Sequence, residues 1–177
     1  MEITGRRSLL ERMKAAAVLD TSVYEEVEAD TSATGQAALV VGIVAVCAAI
    51  GGASAGGRGI IAGLIAAFLG WLLWSGVTYL IGDKILGGTA TWGELLRTIG
   101  FAQSPGVLYL LGIVPFLGWL IRLVVGIWIL VAGIIAIRQA LDFSTGRAIG
   151  TAVLGWLSYI LLAVLIGAVL GISPQVS

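Results

Sequence analysis

The chain contains no histidine, one cysteine and three prolines among 177 residues, and only 11% of it is charged. Each shortage excludes something. Without histidine, the commonest general base, the Ser-His-Asp and Cys-His nucleophile arrangements and the usual zinc clusters are all missing. Cys47 has no second thiol to pair with and lies in an apolar run, so it reads as a small hydrophobe. An ordinary soluble domain is about 25% charged, and this chain falls far below that. Its ten Lys plus Arg balance ten Asp plus Glu. The basic footprint of a nucleic-acid binder is therefore absent, and nucleic acid is not expected as a partner. These gaps predict a protein that is not an enzyme and holds no cofactor or metal.

What the chain has instead is apolar residues, at 59%, and 26 glycines. Glycine is enriched in membrane helices, where neighbouring helices re-satisfy the backbone. A span needs about 20 mostly apolar residues to cross a hydrocarbon core of about 30 Å. On that measure the segments 36–52, 59–81, 101–117, 119–137 and 148–172 read as five spans. The expected fold is an all-α, polytopic transmembrane bundle over residues 34–177, preceded by an amphipathic N-terminal segment, 1–33.

Arg6 and Arg7 before Ser8-Leu9-Leu10 have the look of a secretory or twin-arginine signal. Glu11, Arg12, Lys14 and Asp20 interrupt the apolar region such a signal needs, and no small-residue cleavage site follows. The segment reads better as two short helices. Ser8 with Glu11 fits a capping box, with Leu9, Leu10, Met13 and Ala17 on one face; Ser22 with Glu25 fits a second, with Val23, Tyr24 and Val27 on one face. Up to Asp30, four basic residues face seven acidic ones, the opposite of a polybasic lipid anchor. These apolar faces are expected to pack against protein.

Between the second and third spans lies a polar elbow from Asp83 to Ser104. Thr91 and Glu94 fit another capping box, and Leu95, Leu96 and Ile99 supply an apolar side, which predicts a short helix lying along the membrane interface. Pro105 suits the first turn of the third span, which is short enough to be re-entrant. With the N-terminus inside, the cytoplasmic segments hold Arg6, Arg7, Arg12, Lys14, Lys84, Arg97, Arg138 and Arg147, while outside are Arg58 and, near the outer end of the fourth span, Arg122. That bias predicts a cytoplasmic N-terminus, an external C-terminus and residence in the cell membrane.

The elbow charges Asp83, Lys84, Glu94 and Arg97, with Asp142 and Arg147 on the other inner loop, read either as a docking surface or as exposed ion pairs that only set topology. Arg122 reads either as an intramembrane functional group or as an arginine that snorkels to the outer interface beside Trp119. Small residues four apart (Gly59 with Gly63, Ala66 with Gly70, Gly146 with Gly150) permit close helix approach. Pro105 and Pro115 bracket the third span and suit either a broken helix over a cavity or simple punctuation. Ser75 and Ser158 lie in spans with no base beside them.

Tyr79-Leu80-Ile81-Gly82, Gly87-Gly88, Thr91, Leu95, Arg97, Gly100-Phe101-Ala102 and Pro105 resemble the central signature of the Yip family of membrane proteins. Pro115, Gly118, Trp128 and the stretch Ser144 to Ala148 continue the likeness, and Leu19 to Val27 resembles the juxtamembrane part of prokaryotic members. The resemblance implies a five-helix fold with a cytoplasmic N-terminus. Eukaryotic members bind prenylated Rab-type GTPases, but this chain lacks their long acidic tail and has Ala/Gly-rich spans of bacterial or archaeal style, so Rab binding does not carry over.

The expectation is a non-catalytic adaptor, scaffold or accessory subunit that meets other membrane proteins or its own copies. Its partner-binding candidates are Leu9, Leu10, Met13, Val23, Tyr24, Val27, Glu94, Arg97 and Arg147. A small-solute or ion transporter built around Arg122 is the alternative.

Overall fold

The computed structural model describes residues 7–52, 57–114 and 116–169, and every regular element among them is helical. Helix α1 (Leu9–Ala17) opens on the expected capping box: the Ser8 hydroxyl accepts from the Glu11 N–H, and Glu11 accepts from the Ser8 N–H at 2.7 Å. It closes with Leu19 in the left-handed region at φ 64° and the Asp20 N–H donating to the Ala15 carbonyl at 3.0 Å. That is a Schellman-type end, usually given to glycine. The turn sets Asp20 in extended geometry in front of α2 (Thr21–Ala29), where its carboxylate accepts from the Ser22 N–H at 3.0 Å. The second expected capping box, Ser22 with Glu25, is therefore replaced by an aspartate cap two residues earlier.

Three long helices follow the expected pattern. Helices α3 (Ala33–Gly51), α4 (Gly57–Tyr79, continuing through a widened π-helical turn, Leu80–Ile85) and α6 (Gly118–Ala140) supply the stretches 33–51, 60–85 and 118–140, each long and apolar enough to cross a membrane. Their outer faces carry Ile61, Leu69, Leu123, Ile127 and similar side chains exposed, as lipid contact requires. Among the described residues three helices meet that standard, where five spans were expected. Helix α7 (Thr145–Val169) covers most of the expected fifth span; residues 170–172 of that span lie outside the described residues.

The expected third span and the expected interfacial helix both take a different form. Helix α5 (Trp92–Ala102) does open on the Thr91–Glu94 capping box, but Leu95, Ile99 and Phe101 are fully buried in the bundle. After Gln103 the chain tightens into a ten-residue 3-10 segment, Ser104–Ile113, too short to cross alone. Together these two pieces run parallel to α3 along its whole length. A Cβ on Gly100 would stand 2.8 Å from that of Ala37, one on Gly106 would strike Val44, and one on Gly112 would stand 2.9 Å from the Gly51 carbonyl oxygen. Three glycines six residues apart thus face three α3 positions seven apart. An amphipathic pattern alone does not say which surface its apolar side meets; here that side faces α3 and α4 rather than lipid, and Trp71 fixes it by donating its indole N–H to the Leu96 carbonyl at 3.0 Å.

The glycine pairs expected as seams are not the tight ones. Gly63, Gly146 and Gly150 have open space where a side chain would go. Glycine matters where the parallel rod touches α3, and the spacing-of-four template misses that seam because one of its partners is not α-helical.

Candidate functional site

At the end of the bundle where α3, α5 and α7 begin, the two N-terminal helices form a fitted cap. Arg12, on α1, is 1% exposed. Its Nη2 lies 2.8 Å from Asp30 Oδ2, its Nε donates to Glu26 at 3.0 Å, and its Nη1 donates to the Gln36 side chain at 2.8 Å. One guanidinium therefore ties together α1, α2 and the first turn of α3. The fork has five donors in a fixed plane, which suits a site where three acceptors converge. Arg7 adds a looser bridge to Glu26 at 3.3 Å.

The cap is bolted to the bundle at three further points. Arg97 of α5 is buried and donates to the last carbonyls of α2, through Nε to Val27 at 2.8 Å and through Nη2 to Glu28. A cation there satisfies orphan carbonyls and meets the negative end of the helix dipole. Trp128 of α6 donates its indole N–H to the Ala17 carbonyl at 2.8 Å, and Gln139 donates to the Glu25 carboxylate at 2.8 Å. Within the cap, the Tyr24 hydroxyl donates to the Ala16 carbonyl at 3.2 Å. Burial holds the Tyr24 phenol well above its ordinary range.

These contacts correct the sequence reading. Met13, Val23, Tyr24, Val27 and Arg97 are buried and closed to a partner. The buried face of α1 is Arg12, Met13 and Ala16, rotated from the expected Leu9, Leu10, Met13 and Ala17, and Leu10 is 62% exposed. The face turns inward around Arg12 because its salt-bridge partners lie on α2. Arg147 is exposed, stacks at 4.1 Å over the Phe143 ring and donates to the Leu86 carbonyl. Glu94 stays at the surface as the reciprocal half of its capping box.

What remains open beside the cap is a hollow of about 300 Å³ lined by Glu25, Glu28, Glu94, Gln139 and Asp142. It draws on α2, the start of α5, and the turn after α6. Asp142 reaches this place because it holds a left-handed φ of 53° at the end of α6, and Thr89 donates to its carboxylate at 2.9 Å. Burial, together with repulsion from Glu94 and Asp142, pushes the Glu28 carboxyl up to about 7; Arg97 opposes this only in part. Among the described residues no three carboxylate, thiol or imidazole groups converge so as to hold a metal ion.

Arg122 lies at the opposite end, exposed beside Tyr109 and Ala48, with no carboxylate paired to it among the described residues. The sequence reading gives Arg12 and Glu28 no part in a site, and names Trp128 only for its part in the family likeness. Arg12 carried a weak signal: it is a charge beside the apolar residues Leu9 and Met13. Of the acidic hollow, Glu94 and Asp142 are expected from the sequence on one inner face, as a docking surface or as topology-setting charges, but nothing there joins Glu25 and Glu28 to them.

No curated protein and no solved structure matches the chain. A model of the Yip1 domain matches residues 21–172, taking in α2 as well as the whole described bundle. The matched stretch includes α2, which Arg97 ties to the bundle, and the chain belongs to the Yip1 domain family of helical membrane proteins.

Proposed function

We propose that this protein is a non-catalytic, five-crossing membrane adaptor whose acidic hollow receives a basic segment of another membrane protein. The hollow carries the reading. Four carboxylates from three elements face one opening, and burial, reinforced by repulsion from the other three, raises the Glu28 carboxyl to about 7. Inner flanks of membrane helices carry an excess of Lys and Arg, so a neighbouring subunit brings the complementary charge. Complementary fields of this kind set specificity and association rate more than raw affinity. The rod of α5 and the 3-10 segment runs beside α3 from end to end, which supports counting it as the third crossing. The Lys and Arg bias then favours a cytoplasmic N-terminus.

The test is affinity purification from native membranes in mild detergent. Glu25→Lys combined with Glu28→Lys should remove the co-purifying subunit while the protein stays folded. Retention of the same subunit at full stoichiometry would sink the reading.

A second reading, a small-solute transporter, draws on the helix break at Gln103, since broken helices near the midplane recur at substrate sites. It predicts solute flux into liposomes that Arg122→Leu changes, and silent liposomes across a broad solute panel count against it.

A further inference from the structure

Midway along the bundle, where α4, α6 and α7 diverge, a cavity of about 290 Å³ is walled by the indoles of Trp71, Trp74 and Trp156, with Ala66 and Gly70 on one side and Gln103 at its inner edge. That volume lies near the lower bound of about 300–1,000 Å³ usual for small-ligand sites. Every contributor sits near the middle of its own element: Trp71 in α4 and its π-helical extension, Trp156 in α7, and Gln103 between α5 and the 3-10 segment. The cavity is therefore a midplane feature.

Three observations bear on what fits it. Backbone that departs from the α-helix at membrane depth is tolerated where it is buried in protein or lines a cavity, and the break at Gln103 lines this one. The Gln103 carboxamide makes no side-chain hydrogen bond to a described residue, and the indole N–H of Trp74, on the same cavity, is buried without an acceptor, whereas Thr98, Ser104 and Thr151 bond to nearby backbone carbonyls. The opening is lateral: Ala66 is exposed and Trp156 is 55% exposed, on faces that meet lipid rather than water.

We propose that this cavity binds an uncharged, planar, carbonyl-bearing amphiphile dissolved in the bilayer, of the quinone class. Indole walls match a flat ring by stacking. The small Ala66 and Gly70 let that ring approach α4 closely. The Gln103 amide supplies an N–H donor for a ring carbonyl, which a hydrocarbon tail cannot accept. No charged residue lines the cavity, which disfavours an ionic ligand. The site is remote from the acidic hollow and does not depend on the adaptor reading.

The full-length protein in lipid nanodiscs is titrated with a decyl-substituted benzoquinone, and tryptophan quenching is followed beside equilibrium co-retention of the probe. Saturable, one-to-one binding is expected, with Gln103→Leu raising Kd roughly tenfold, the equivalent of one lost hydrogen bond in an apolar site. Ala66→Phe, which fills the lip, should abolish saturation, and circular dichroism confirms that both variants remain helical. Quenching that rises linearly, as partitioning alone would give, overturns the proposal, as does an unchanged Kd in Gln103→Leu. Steady quenching by brominated lipid chains that the quinone does not displace would show a lipid tail in the cavity and would equally overturn it.

Discussion

Arg12 and Asp30 face each other 2.8 Å apart, 18 residues distant in sequence and both almost wholly withdrawn from solvent. Removing one partner of a buried pair costs far more than the pair contributes, because the remaining charge stays in the low-dielectric site. Arg12→Met should therefore destabilise the cap by roughly 3 kcal/mol. Hydrogen exchange would show it as faster exchange in α1 and α2, with α6 unchanged. If exchange in α1 stays at the wild-type rate, the guanidinium is not what holds the cap.

Arg97 is a second fastening, made to carbonyls rather than carboxylates. Lys cannot reproduce two donors in one plane. Arg97→Lys should weaken the docking of α2 by roughly 1–2 kcal/mol. The readout is protease sensitivity at the turn after α2. Neutral Arg97→Gln should do the same, separating lost hydrogen bonding from lost charge.

Glu28 makes stability depend on pH. Its carboxyl is raised from an ordinary 4.5 to about 7, so the folded chain binds this proton more tightly than the unfolded one. Between these values the folded state holds more protons, and stability falls as pH rises. It is greatest below the unfolded value and the loss is complete above about 7. Because the group is only half-buried, the span is roughly 1–2 kcal/mol after allowance for solvent screening. Glu28→Gln should flatten this part of the pH profile, and a profile unchanged by that substitution would refute the assignment.

The glycine seam offers a contrast within one residue type. Gly106→Val should cost roughly 1–3 kcal/mol through overpacking against Val44. Gly63→Ala, in open space, should stabilise α4 by about 0.5–1 kcal/mol through helix propensity. Thermal unfolding in one detergent compares the two directly. Equal effects at both positions would argue against the close parallel packing of the rod on α3.

The sequence was most legible where a signal is local. Two of three capping boxes form as their three-residue spacing implies, because donor and acceptor share one turn. The long apolar stretches of α3, α4 and α6 are equally plain. The interior position of α5 was not legible: an apolar stripe looks the same whether it meets lipid headgroups or a neighbouring helix. Nor was the role of Arg97, whose acceptors are backbone carbonyls 69 and 70 positions away and leave no mark in side-chain chemistry. The acidic hollow depends on the left-handed Asp142; aspartate enters that region more readily than Leu141 or Phe143, but nothing local says that the turn carries it toward Glu28.

The 3-10 segment has a consequence for how this chain tolerates change in length. With three residues per turn its side chains stack in three straight rows. Gly106, Tyr109 and Gly112 form the row against α3, and the rows beside it contain Leu110, Leu111 and Ile113. Adding one residue would turn the prism by a third and drive leucine into the space made for glycine. Adding three would restore the same row one step further along, so in this stretch insertions and deletions should be accepted only in triplets of residues.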